Sequence, residues 1–117
     1  MVKMIVYGIK NCNTVKNAVE WLTKKGIAFE FHDYKKSGIS DAKLKSWSEQ
    51  VGWERLVNKK GTTWRQLDKA EQDRVTNESA AIALMKGKTS VIKRPVIEVD
   101  DKVVALGFDE TEYVKLF

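Results

Sequence analysis

The residue with the most chemistry to offer is Cys12, held in the run Gly8-Ile9-Lys10-Asn11-Cys12-Asn13-Thr14. This run leaves a short apolar stretch and opens an amphipathic one, which delivers the sulfur to the start of a helix. Unpaired N–H groups and the macrodipole at that end favour an anion, so a thiolate there is reactive near neutral pH. Lys10 adds positive charge two residues away. Asn11, Asn13 and Thr14 are polar neighbours, which argues for an accessible thiol over a small buried hydrophobe.

Spacing narrows what that thiol can do. A dithiol motif needs a second Cys at position 15, where Val15 stands, so turnover at Cys12 needs an external thiol. A Cys-x5-Arg phosphatase loop needs Arg at position 18, where Ala18 stands. Acyl transfer needs a general base beside the nucleophile, and the single histidine, His32, reads instead as a surface or satisfied strand-end residue. A second chemical feature is the stretch Lys86 to Arg94. It carries Lys86, Lys88, Lys93 and Arg94 without one acid, a local field able to attract a small anion. It ends at the only proline, Pro95, at the first position of a strand candidate, where proline is tolerated.

The elements that must position these residues follow from periodicity. Met4-Ile5-Val6-Tyr7, ending at Gly8, reads as a buried strand. Val15, Ala18, Val19 and Leu22 fall at helical spacing, and Gly26 closes that helix. Ile27, Phe29 and Phe31 alternate with polar positions as a second strand, which makes a right-handed βαβ unit with parallel strands. Three or four short helices then occupy positions 40 to 86. Ser40 caps one carrying Leu44, Trp47 and Val51; Trp53 to Val57 and Trp64 to Leu67 read as helical turns; Asp68 with Glu71 has capping-box spacing. Asn77 caps the last, with Ala80, Ala81 and Leu84 on its inner face and Gly87 at its end. Pro95 to Val99 and Val103 to Leu106 form an antiparallel hairpin across Asp100-Asp101-Lys102, and Asp109 with Glu112 starts a final helix anchored by Tyr113, Leu116 and Phe117. The sum is α/β, a mixed four-stranded sheet with helices around it.

Composition sets the outer bounds. A chain of 117 residues, 43% hydrophobic and 32% charged, fits one folded domain. One Cys excludes an internal disulfide, and Cys12 with His32 cannot complete a structural zinc site, so no metal is expected. The net charge of +5 comes from 21 basic and 16 acidic residues, with the lysine pairs scattered among acids, so no direct nucleic-acid partner is expected. No apolar run approaches the roughly 20 residues that span a bilayer, and Met1 to Lys10 lacks the apolar core of a secretory signal. A reducing, cytoplasmic setting is the expectation.

Three segments in order, Val6 to Thr14, Gly61-Thr62-Thr63-Trp64-Arg65-Gln66-Leu67 and Ile92-Lys93-Arg94-Pro95-Val96, resemble the arsenate-reductase-like (ArsC/Spx) family. They are most similar to its branch of small bacterial single-cysteine proteins, regarded as glutathione-dependent thiol reductases. The resemblance implies a thioredoxin-like fold, with core 1–39 and 87–117, a helical insertion at 40–86, and a cis Pro95 facing the cysteine. In the family's arsenate reductases one cysteine attacks the oxyanion and three arginines hold it. Arg94 matches one of them, while Asn58 and Gly107 stand where the other two are expected. Two missing cations remove charge-assisted bonds to a tetrahedral anion and leave thiol–disulfide chemistry intact.

The expected activity is therefore glutathione-dependent thiol–disulfide reduction through a mixed disulfide on Cys12. Arg94 is the second catalytic residue; Lys10, Asn11, Asn13, Lys93 and Pro95 are expected to bind the substrate. Glutathione is the co-substrate, with no bound cofactor, and a small disulfide or a glutathionylated protein is the partner of an expected monomer. Two alternatives stay open. One is residual arsenate reduction. The other is a regulatory module that binds RNA polymerase, with Trp47, Trp53 and Trp64 either offering a partner surface or filling the insertion's own core.

Overall fold

In the computed structural model, which describes residues 3–117, the chain runs β1 (Met4–Gly8), α1 (Asn13–Lys24), β2 (Glu30–Asp33), α2 (Tyr34–Ser37), α3 (Asp41–Val51), α4 (Trp53–Leu56), α5 (Thr62–Gln66), α6 (Lys69–Arg74), α7 (Glu78–Gly87), a 3-10 turn (Thr89–Val91), β3 (Val96–Val99), β4 (Lys102–Leu106) and α8 (Glu110–Leu116). Residues 1 and 2, part of the N-terminal segment read above as no signal sequence, lie outside the described residues. The chain divides into two units. One comprises the segment ending at Ser37 together with Arg94–Phe117; the other is Gly38–Lys93.

The first unit holds a mixed sheet in the order β2-β1-β3-β4. β1 and β2 are parallel, as the crossover through α1 requires, while β1 with β3 and β3 with β4 are antiparallel. This is the thioredoxin-like α/β arrangement. One sheet face carries Met4, Val6 and Ile97, packed against Ala18 and Leu22 of α1 and Tyr113 of α8. Leu22 is fully buried, and each such side chain contributes about 1.5–3 kcal/mol. On the other face Glu98 is buried at 1% exposure and accepts a hydrogen bond from the Tyr7 hydroxyl at 3.0 Å.

Two boundaries differ from the sequence expectation. The second strand starts at Glu30, not Ile27, because the end of α1 claims that segment first. Gly26, at φ +70°, and Ile27 donate to the Thr23 and Leu22 carbonyls, the paired bonds of a Schellman cap. The Ile27 N–H thus serves the helix, and Ile27 and Phe29 pack against the core without joining the ladder. In the hairpin, Asp100 and Asp101 both take positive φ, 49° and 69°, which makes a two-residue turn. Lys102, expected in the loop, pairs with Val99.

In the second unit the side chains of Ser40, Asp68 and Asn77 each accept from the backbone N–H three residues on and start α3, α6 and α7. Of the residues expected to face inward from α7, Ala81 is buried while Ala80 and Leu84 are half-buried, and Met85 joins Ala81 in the interior. Trp47 and Trp64 are buried and Trp53 is half-buried. This unit reaches past the expected 86 to Lys93, because Lys93 N–H donates to the Leu56 carbonyl and Asn58 N–H to the Val91 carbonyl, both at 2.7 Å. Among the described residues no helix is long and apolar enough to cross a membrane.

Candidate active site

β1 ends where α1 must begin close by. A Cβ on Gly8 would stand 2.9 Å from Cγ2 of Val15, so only glycine lets the strand end and the first helical turn approach this closely. After the buried Ile9 the chain turns through Lys10 and Asn11, and Cys12 takes the N-cap position with extended backbone (φ −134°, ψ 122°). Its carbonyl accepts the first helical bond from Lys16 N–H at 2.9 Å. The half-buried sulfur does not form a tight side-chain cap. The first-turn N–H groups of Val15 and Thr14 nevertheless act on the sulfur and favour its anion.

Arg94, the last residue before β3, donates from Nε to Cys12 Sγ at 3.3 Å. Partial burial pushes the Cys12 thiol up; the Val15 N–H, the Arg94 hydrogen bond and charge, and the Thr14 N–H outweigh it, so the thiol ends below its ordinary value. Arg94 shows the reciprocal effect. Burial disfavours its charge, while Cys12 and Tyr34 more than offset that and hold the guanidinium more firmly protonated than usual.

Tyr34 was not legible as a site residue. It opens the four-residue α2, is fully buried, and its hydroxyl is hydrogen-bonded to Arg94. Burial pushes its phenol well up, so the hydroxyl stays neutral. The only sequence signal was an aromatic residue directly behind Asp33, whose Oδ1 accepts from the N–H groups of Lys35 and Lys36 and so starts the turn.

The remaining expected residues fall as follows. Lys10, Asn11 and Asn13 are exposed around the Cys12 loop. The Arg94–Pro95 peptide is cis, and the buried Pro95 gives its carbonyl to Gly107 N–H at 2.8 Å. Lys93 is exposed and belongs to the second unit. Asn58, also in that unit, accepts from Lys60 N–H at 3.2 Å in a local turn. Gly107 has φ +79° and its carbonyl accepts from the Tyr113 hydroxyl at 2.7 Å, so an arginine there would be strained in this backbone. The His32 ring packs on the Tyr7 ring, centroids 5.0 Å apart. Among the described residues no group of three or more His, Cys, Asp or Glu side chains is placed to hold a metal ion.

A single cysteine at the start of the first helix, an arginine on its sulfur and a cis-proline next to that arginine define a single-cysteine protein of the thioredoxin-like class. The chain belongs to the ArsC family, whose model matches residues 7–116. It is 41% identical over 112 residues to an uncharacterized protein of Haemophilus influenzae, covering 96% of each chain. A solved arsenate reductase (ArsC) related protein from Brucella melitensis is 41% identical, superposes with a TM-score of 0.79, and matches 97% of this chain and 92% of its own. The global transcriptional regulator Spx of Streptococcus agalactiae is 28% identical over 105 residues, 87% of this chain and 74% of its own.

Proposed function

We propose that the protein is a glutathione-dependent thiol–disulfide reductase with Cys12 as its nucleophile. The observation that carries this reading is the Arg94 Nε to Cys12 Sγ bond at 3.3 Å on a half-buried sulfur whose thiol is held below its ordinary value. The Cys12 thiolate attacks the glutathione sulfur of a mixed disulfide between a substrate thiol and glutathione. A Cys12–glutathione disulfide forms, the original disulfide breaks, and the substrate leaves as a thiolate that takes a proton. A second glutathione thiolate attacks the bound glutathione sulfur, which frees the Cys12 thiolate and releases oxidised glutathione.

Arg94 and the α1 amides stabilise the thiolate as nucleophile and as leaving group. Lys10, Asn11 and Asn13 supply polar and cationic groups suited to the peptide's carboxylates. The glutathione backbone pairs beside Pro95 as an added strand does. Pro95 has no N–H and its carbonyl is engaged with Gly107, so the Arg94 peptide is the partner this reading selects. The protein works as a monomer in a reducing compartment. Arsenate reduction is less well supported: Arg94 is the one matching cation, and the backbone at Gly107 disfavours any other residue.

The test is titration of the Cys12 thiolate, then mass spectrometry after exposure to oxidised glutathione. A depressed midpoint with one glutathione per chain on Cys12 is expected; an ordinary midpoint with no adduct on the folded protein overturns the reading. The relative that is a global transcriptional regulator favours a second reading, a regulatory module, for which the family resemblance implies RNA polymerase as the partner. Capture of an RNA polymerase subunit equally by the wild type and by Cys12→Ser would support it.

A further inference from the structure

We infer that Tyr34 is a positioning residue for the thiolate: its hydroxyl anchors the Arg94 guanidinium where Nε meets Cys12 Sγ. The inference rests on Cys12 being the nucleophile proposed above.

Strand pairing brings the three residues to one edge of the sheet. β1 and β2 run parallel with Gly8 opposite Asp33, so the chain leaves β1 towards Cys12 at the same edge where it leaves β2 into Tyr34. β3 runs the other way with Val96 opposite Tyr7, so Arg94 enters at that edge too. Arg94 ends a long, rotamer-rich side chain, and one contact with a soft sulfur acceptor defines its position poorly. Its fork of donors can hold two acceptors at once, and the second is the Tyr34 oxygen. A guanidinium only donates, so the hydroxyl accepts from Arg94 and keeps its own proton.

Tyr34 suits an anchor better than an exposed acceptor would. Its side chain is fully buried, and its backbone is fixed between the end of β2 and the Asp33 turn. An oxygen so placed moves little, and it carries no negative charge that would oppose a thiolate. The nearby charged or titratable groups that bear on Cys12 and Tyr34 are Arg94 before β3 and Asp33 at the end of β2, with each of the pair acting on the other.

The experiment compares thiolate fraction against pH in the wild type, Arg94→Ala, Tyr34→Phe and the double variant, with thermal unfolding recorded for each. At a pH below neutrality Arg94→Ala should lower the thiolate fraction about tenfold and Tyr34→Phe about threefold. The double variant should match Arg94→Ala alone, because Tyr34 acts through Arg94. Tyr34→Met also lacks the acceptor but packs differently, and it should repeat the threefold loss if the phenylalanine variant folds poorly. A wild-type titration in both Tyr34 variants overturns the inference, as does a further loss from Tyr34→Phe when Arg94 is already absent. Exposing the same proteins to oxidised glutathione separates the two readings. No adduct on the wild type with the ordered thiolate losses intact removes glutathione and keeps Tyr34; adducts with no loss in either Tyr34 variant do the reverse.

Discussion

α1 and α8 cover the same face of the same sheet yet begin in opposite ways. Asp109 starts α8 with a carboxylate that accepts from Glu112 N–H at 3.2 Å, as Ser40, Asp68 and Asn77 start their helices with side-chain oxygens. Cys12 starts α1 with a sulfur that makes no tight cap. An oxygen cap satisfies an orphan amide and contributes about 1 kcal/mol to the fold. At α1 that stabilisation is weaker, and the amides of Thr14 and Val15 instead lower the thiol. The difference teaches that the cysteine occupies a structural position whose ordinary occupant would be inert.

The largest expected effect breaks this comparison from the chemical side. Cys12→Ser should abolish thiol transfer altogether, while at an acid pH, where Cys12 is still a neutral thiol, its hydroxyl gives α1 the kind of cap Ser40 gives α3 and raises stability by about 0.5–1 kcal/mol. Transfer assays near neutral pH and urea unfolding at the acid pH check both; retained transfer sinks the mechanism, and a loss of stability at the acid pH sinks the comparison of caps. Next in size is Gly8→Ala. Its methyl would meet Cγ2 of Val15 at 2.9 Å, and a β-branched neighbour cannot rotate out of the way, so unfolding should show a cost of about 1–3 kcal/mol. Because the clash pushes on the first turn of α1, the thiolate midpoint should move up in the same variant. Asp109→Ala sharpens the contrast at the other helix: about 1 kcal/mol of stability lost, with the Cys12 alkylation rate unchanged.

How much of this was legible depends on whether the signal is local. Local patterns located β1, α1, the hairpin and α8: an apolar run, a helical repeat, two β-rich runs around a short loop, and the Asp109–Glu112 spacing. Of the anchors expected for α8, Tyr113 is buried and Phe117 packs against the core, while Leu116 is exposed because it falls on the helix's outer side. The caps at Ser40, Asp68, Asn77 and Asp109 were readable because an oxygen three residues before its amide is a feature of the chain alone. Cys12 was legible for the same reason. Its contact with Arg94 joins residues 82 apart in sequence, so periodicity could not give it; the family resemblance pointed to Arg94, and the fold brings its Nε to the sulfur. Tyr34 was missed because its role exists only once the parallel pairing of β1 and β2 brings two strand ends to one edge. The start of β2 was misplaced because alternation in Ile27, Phe29 and Phe31 cannot reveal that the Schellman cap uses the Ile27 N–H.

The smallest expected effect is the dependence of stability on pH, and its sign follows from Cys12. The thiol is lowered in the folded chain, so between that folded value and about 8.5, the ordinary cysteine value, the unfolded chain binds more protons. Stability therefore rises with pH across this window. The contribution is fully present above the unfolded value and is lost as pH falls through the folded one. Tyr7, Tyr34 and Tyr113 act the other way at higher pH. Burial raises all three, with Glu98 adding to the effect at Tyr7, so the fold keeps them neutral and loses stability once unfolded tyrosine begins to ionise near about pH 10. Urea unfolding of the wild type and Cys12→Ser across this range separates the two. The serine variant should lack the rise and keep the fall, and parallel curves throughout would mean that the start of α1 does not hold a thiolate.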